Sequence, residues 1–266
     1  MQSFKTIFNI LWLVLLLCHP SIKSKAQTSG QAFLKNQLAF PRVAQAYKKY
    51  HDTLEKEFHK KGFNFPPEEI LLRAFKSSNE MELWARNSDT APYRLVRIFP
   101  ICAMSGKLGP KTKRGDCQVP EGFYYVEQFN PQSNFHLSLG LDYPNEHDLL
   151  ALKNVPDVKS KKLILGGDIF IHGGCVTIGC MPLTDEGIKQ MYIICLCGKA
   201  HGQEYIPVQI YPTRFSRNTI AYLKREYGDV PHIMDFWYQL KEYYDFFEKT
   251  HKSLPLMYTA DGRYSH

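Results

Sequence analysis

Apolar and polar positions follow three different rhythms along this chain of 266 residues. It opens with an apolar run from Ile7 to Cys18, interrupted only by Asn9 and preceded by the single basic Lys5. Pro20 and Ser24-Lys25-Ala26 follow. That pattern predicts a secretory signal over residues 1–26, too short for a permanent bilayer span. Two alternatives are a buried N-terminal helix and a lipoprotein signal built on Cys18. The second fits poorly, because bulky Leu17 stands where a small residue is expected. Beyond Pro41 the rhythm becomes helical, with Val43, Tyr47, Tyr50, Leu54 and Phe58 at spacings of three and four. Pro66-Pro67-Glu68-Glu69 reads as the start of another short helix, and Leu83-Trp84 as part of a third element. Residues 27–90 are therefore expected to form an N-terminal helical segment.

The middle of the chain has a shorter period. Residues 93–99, 122–129, 135–141, 163–171, 191–197 and 206–211 are brief runs rich in β-branched and aromatic side chains, punctuated by Gly, Pro or Asn. They predict a mainly β domain. The polar connector Ser105-Gly106-Lys107-Leu108-Gly109-Pro110-Lys111, running on to Gly115-Asp116, has the length of a functional loop. After Pro212 helical spacing returns, with Ile233, Phe236, Trp237, Leu240, Tyr243, Tyr244 and Phe247 on one face. Such a stripe packs a helix onto its own domain more often than it serves as a carbohydrate platform. The fold class expected is α+β, a mainly β domain with helices at both ends.

Composition and charge narrow the classes of function. Removing residues 1–26 takes away three lysines and no acids, so the net charge falls from +7 to +4. No helix carries the dense Lys/Arg stripe that nucleic acid demands, and no second segment is long and apolar enough to anchor a mature chain. Six cysteines remain, at positions 102, 117, 175, 180, 195 and 197. An even count in an exported chain invites disulfides, but their connectivity is not legible in sequence.

The densest chemistry lies between Ile171 and Met181, in His172-Gly173-Gly174-Cys175-Val176-Thr177-Ile178-Gly179-Cys180. A histidine ends a strand, glycines turn the chain, and a cysteine precedes a helix whose N-cap is Thr184, with Asp185 and Glu186 in its first turn. An imidazole beside a thiol can take its proton, and a helix start favours thiolate. Glycines at 173, 174 and 179 let backbone N–H groups approach a reacting carbonyl. Two other readings stay open on spacing alone. Cys175, Cys195 and Cys197 could be small core hydrophobes, with Cys195 and Cys197 on one face of a strand and Leu196 on the other. Alternatively, His172, Cys175, Cys180 and the Cys195/Cys197 pair could ligate zinc.

These motifs resemble the YkuD-type L,D-transpeptidase catalytic domain: a His-Gly pair, here His172-Gly173, then Thr177-Ile178-Gly179-Cys180. The short interval and Thr184-Asp185 resemble the YafK-like branch. Upstream the resemblance takes in Ser105-Gly106-Lys107-Leu108-Gly109-Pro110-Lys111, Gly115-Asp116, Pro120-Glu121-Gly122 and Phe135-His136-Leu137-Ser138-Leu139. It runs on through Tyr143-Pro144-Asn145 to Val208-Gln209-Ile210-Tyr211-Pro212. It implies a catalytic domain over residues 91–215 and leaves 216–266 as a C-terminal helical extension.

The resemblance also implies a mechanism: a Cys180 thiolate attacks a diaminopimelate-containing peptidoglycan stem, with His172 as base and then acid. The Gly173 carbonyl orients the imidazole, and N–H groups near Gly179 and Cys180 hold the oxyanion. His136, Thr177 and Lys107 are candidate substrate contacts, although a structural histidine is the plainer reading of His136. No cofactor or metal is implied, and the setting is the periplasm. One departure stands out. Pro182 occupies the place, two residues past the nucleophile, where many relatives carry arginine, so a substrate carboxylate would fall to Lys107, Lys111 or Arg214. His201 reads as a turn residue. The acyl group could pass to an amine of a second stem or of an anchored envelope protein, or to water, which would make the chain a hydrolase or amidase. A non-catalytic wall-binding module is the reading from another class.

Overall fold

In the computed structural model, which describes residues 21–152 and 165–266 with side chains from Ser29 onward, two helices lead into a sheet. Most of the expected signal segment lies outside the described residues. Helices α1 (Ser21–Leu38) and α2 (Pro41–Lys60) come first. Pro41 sits in the first turn of α2, where its missing N–H costs nothing, and Val43, Leu54 and Phe58 are buried as their spacing predicts.

No helix follows Pro66. Residues 69–75 form strand β1 (Glu69–Phe75) and Leu83-Trp84 lie in β2 (Glu80–Arg86), so the expected helical segment ends with α2. The proline pair misled, because X-Pro and Pro-Glu mark a turn into a strand as readily as a helix start. Then come β3 (Arg94–Pro100), β4 (Gly122–Asn130), β5 (Ser138–Leu141), α3 (Glu146–Leu152), β6 (Phe170–His172), β7 (Met181–Pro182), α4 (Asp185–His201) and β8 (Pro207–Tyr211). Helices α5 (Arg217–Tyr227) and α6 (Pro231–Thr250) and a small hairpin, β9 (Met257–Tyr258) with β10 (Tyr264–Ser265), complete the chain.

Eight strands form one mixed sheet in the order β3-β2-β1-β8-β4-β5-β6-β7. Pairing is parallel between β1 and β8 and between β6 and β7, and antiparallel elsewhere. The sheet curls, because the Cys102 N–H, just past β3, reaches the Pro182 carbonyl of β7 at the far end of the strand order (2.9 Å). A mainly β core between helices is thus the observed class.

The run 191–197 is helix, not strand. Met191, Tyr192, Ile193, Ile194, Cys195, Leu196 and Cys197 are all buried in α4, which packs between α1, α2 and the sheet. A helix covered on every side is apolar all round, so it loses the 3.6-residue signature and reads like a buried strand. The expectation that Cys195 and Cys197 share a strand face opposite Leu196 falls with it. The run 163–171 is likewise less β than expected: of its described residues only Phe170 and Ile171 lie in a strand, β6, and residues 163–164 lie outside the described chain.

Alternation along β1 divides two cores. Ile70, Leu72 and Ala74 join α4 and the N-terminal helices, while Leu71, Arg73 and Phe75 face α6. Trp237, Leu240, Tyr243, Tyr244 and Phe247 of α6 are buried there, packing their own domain. Arg73 is fully buried among them. It pairs with Glu248 (2.8 Å) and Glu82 (3.4 Å), and its guanidinium lies over the rings of Phe247 (4.1 Å) and Tyr244 (5.3 Å).

Candidate active site

The register of two short parallel strands brings the site together. Ile171 pairs with Met181 and His172 with Pro182, and Ile171 and Met181 are fully buried in the core. Side chains alternate across a sheet, so Phe170, His172 and Pro182 share the opposite face, and Cys180 lies just before β7, beside Phe170. The Phe170 N–H points at Cys180 Sγ (3.4 Å), which itself lies 3.5 Å from the Asp168 carbonyl.

The loop between the two residues is pinned on several sides. Gly173 donates its N–H to the Phe135 carbonyl (2.9 Å), and Gly174 donates to Asp185 Oδ1 (3.0 Å). A Cβ on Gly173 would stand 2.6 Å from that same carboxylate oxygen, so only glycine fits. Cys175 forms a disulfide with Cys102, tying the loop to the chain leaving β3. Thr177 Oγ1 accepts from the N–H groups of Gly179 (3.1 Å) and Cys180 (2.8 Å) and donates to the Cys180 carbonyl (2.8 Å). Gly179 has φ +137° and sits against the Gln118 carbonyl. Val176, Ile178 and Phe135 form an apolar rim, Ile178 with 81% of its surface exposed.

The electrostatics differ from the sequence expectation. The Nδ1 of His172 meets the Gly173 carbonyl at 2.5 Å. A carbonyl only accepts, so Nδ1 carries the hydrogen and Nε2 holds the free lone pair. Burial lowers the imidazole's pKa, and the Gly173 bond offsets part of that. Burial also raises the Cys180 thiol, against smaller lowering by the Phe170 N–H and by Lys111. Both shifts favour the neutral form of the group. Cys180 also does not start a helix, because β7 intervenes and α4 begins at Asp185. Thr184 does cap that helix, accepting from the Gly187 N–H (3.0 Å).

The remaining candidates separate. His136 is not in a strand. It precedes β5 with φ +73°, its Nε2 buried without a partner, and burial lowers its pKa. Its carbonyl accepts from Arg42 of α2. Lys111 is buried and paired with Asp116, and Arg214 pairs with Glu80 and Glu82, so neither is a free carboxylate receptor. The Lys107 backbone is clamped by the Gln118 amide (2.8 and 2.6 Å), which leaves its side chain at the surface. The zinc set is broken up: Cys175 is in the disulfide, and Cys195 and Cys197 lie inside α4.

Sequence reasoning missed Asp185 as a loop pin and Gln118 and Glu121 as the framework of the 106–121 connector. Glu121 joins Lys76 (2.9 Å), the Gly109 N–H (2.7 Å) and Trp237 Nε1 (2.6 Å) in one buried cluster. Local sequence carries no sign of such partners, which come from distant elements.

The L,D-transpeptidase catalytic domain (YkuD) matches residues 72–210, which take in part of β1 and all of β2 and so begin before the expected start at 91. The chain is 34% identical over 197 residues to "Putative L,D-transpeptidase YafK" of Escherichia coli (strain K12), covering 73% of this chain and 72% of that one. The protein of the same name from Escherichia coli O157:H7 matches to the same extent. A crystal structure titled as the helical cell shape determining protein Pgp2 from Campylobacter jejuni aligns with 72% of this chain and 73% of its own, at 15% identity and a TM-score of 0.41. This chain belongs to the L,D-transpeptidase catalytic-domain family, and with that goes a peptidoglycan-related role. Among the described residues no helix is long and apolar enough to cross a membrane.

Proposed function

We propose that this protein is an exported, periplasmic L,D-transpeptidase that forms a thioester at Cys180 with a diaminopimelate-containing peptidoglycan stem and passes the acyl group to an amine acceptor. The observation that carries the reading is the β6–β7 register, which sets Cys180 beside Phe170, two residues from His172, with the His172 Nδ1 committed to the Gly173 carbonyl. Nε2 takes the thiol proton as Sγ attacks the amide carbonyl, and the Phe170 N–H steadies the charge forming on sulfur. The imidazolium then protonates the leaving amine. A second stem, or an anchored envelope protein, supplies the amine that releases the acyl group. The Gly179 and Cys180 N–H groups, bonded to Thr177 Oγ1 at rest, serve the oxyanion once that hydroxyl turns away. An exposed disulfide beside the loop supports an oxidising compartment.

The test has two arms. Purified residues 27–266 are incubated with tetrapeptide muropeptides and with a carbapenem, and products are read by mass. The expected results are a crosslinked or acceptor-joined product and a carbapenem adduct that Cys180→Ala abolishes. An adduct that survives in Cys180→Ala, or no reaction from the unaltered chain, sinks the proposal. A product released by water alone reassigns the chain as a hydrolase.

A further inference from the structure

The hairpin β9–β10 and helix α6, both beyond the 72–210 match, close a cavity of about 240 Å³ against α3. Neither Cys180 nor His172 lines it. The volume is below the roughly 300–1,000 Å³ of pockets for whole drug-sized ligands, so it suits one side chain or a short alkyl group. Leu165, Ala151, Leu152 and Phe236 supply apolar wall.

Two polar side chains of α3 face this space with unmet capacity. His147 is 4% exposed, and the Gly262 carbonyl is the one hydrogen-bonding group against its ring. A carbonyl only accepts, so the second ring nitrogen keeps its lone pair without a partner. Its ring lies flat on Tyr264 of the hairpin, 3.8 Å between centroids and 8° from parallel, which fixes its edge. Burial drives its pKa down to about 4, so the imidazole is neutral and offers an acceptor lone pair. Its neighbour Asp148 accepts from the Tyr124 hydroxyl (3.0 Å) and the Asn145 N–H (2.9 Å). No lysine or arginine among the described residues forms an ion pair with it. Burial raises that carboxyl's pKa to about 7, as expected for an acid lacking a counter-charge. The cations on the wall are already committed, Lys111 to Asp116 and Arg263 to Asp235.

A carboxyl without a cation, an acceptor nitrogen without a donor and an apolar wall together describe a receptor for a primary ammonium group on an alkyl chain. We infer that this cavity binds a lysine-like side chain or free alkylamine, with the ammonium donating to Asp148 and to the free nitrogen of His147. The inference does not rest on the Cys180 reading. A carboxylate would meet Asp148 with no free cation beside it, and a plain alcohol would leave the acid uncompensated.

The probes are n-pentylamine, n-pentanol and valerate, titrated into the purified chain and followed by ligand-observed NMR or calorimetry. Saturable binding of pentylamine alone is expected. Asp148→Asn should weaken it by roughly tenfold or more, the loss of one charged hydrogen bond. Ala151→Leu, which fills the cavity without changing charge, should also weaken it, and thermal melts confirm that both variants fold. Nε-acetylated and unmodified Lys peptides then separate a peptide side chain from a free amine, because only the unmodified peptide should compete with pentylamine if the ligand is a side chain. No pentylamine binding, equal binding of pentanol or valerate, or full affinity in folded Asp148→Asn each overturns the inference.

Discussion

At one end of the sheet β1, β2 and β3 run seven residues each and pair along nearly their whole length. At the other end β6 and β7 run three and two. The long end is a backbone ladder buried on both faces in β1, with the Arg73 ion pairs and rings sealing its outer core. The short end has too few ladder bonds to hold a loop, so individual side-chain contacts do that instead: a disulfide, the Asp185 cap and the Thr177 hydroxyl. Ladder stability is spread over many bonds and tolerates local change. A pinned loop depends on each pin, yet it can bring a thiol back beside the strand that carries an imidazole with little backbone.

The sharpest way to break this contrast is Arg73→Met. It leaves buried acids short of their cation and should cost about 3–5 kcal/mol, read from the denaturant midpoint. Molecules that remain folded should acylate at the unaltered rate. A slower rate in folded Arg73→Met would mean that the two ends are coupled.

Replacing both Cys102 and Cys175 by serine should cost about 2–4 kcal/mol and, unlike Arg73→Met, also slow acylation. An unchanged rate would show that Asp185 and Thr177 suffice as pins. Thr177→Val strands the Gly179 and Cys180 N–H groups, costs about 1–2 kcal/mol and lowers acylation, and Thr177→Ser restores both. If serine fails to rescue, the hydroxyl alone does not account for the loss and the methyl group is needed as well.

The smallest effect is on pH dependence. Burial lowers the His172 pKa from 6.5, so the acid limb of acylation should lie below 6.5. The unfolded chain binds that proton first, so stability should also decline as pH falls through 6.5 toward the lowered value. An acid limb above 6.5 would remove His172 as the titrating base.

Much of the fold was legible where one face meets water. The α2 stripe from Val43 to Phe58 and the α6 stripe from Trp237 to Phe247 read correctly because half of each helix is polar. The α4 run from Met191 to Cys197 read as strand because burial on all sides erases periodicity. Strands β1 and β2 hid behind the Pro66-Pro67 pair, whose local preference suits a turn as well as a helix start. At the site, His172 and Cys180 were singled out by their chemistry and close spacing and Gly173 and Thr177 through the family motif, while the Thr184 cap was legible from its position.

What the sequence alone determined is the set of candidate groups and the short loop that carries them, because seven residues between a histidine and a cysteine admit few geometries. Tertiary structure decided the direction of each pKa, since burial favours the neutral thiol and the neutral imidazole where local pattern suggested a thiolate. It also decided that Cys175 joins Cys102 across 73 residues, and that Lys111 and Arg214 are already paired. Desolvation and ion pairing depend on which distant elements close around a residue, and no local stretch of chain contains that information.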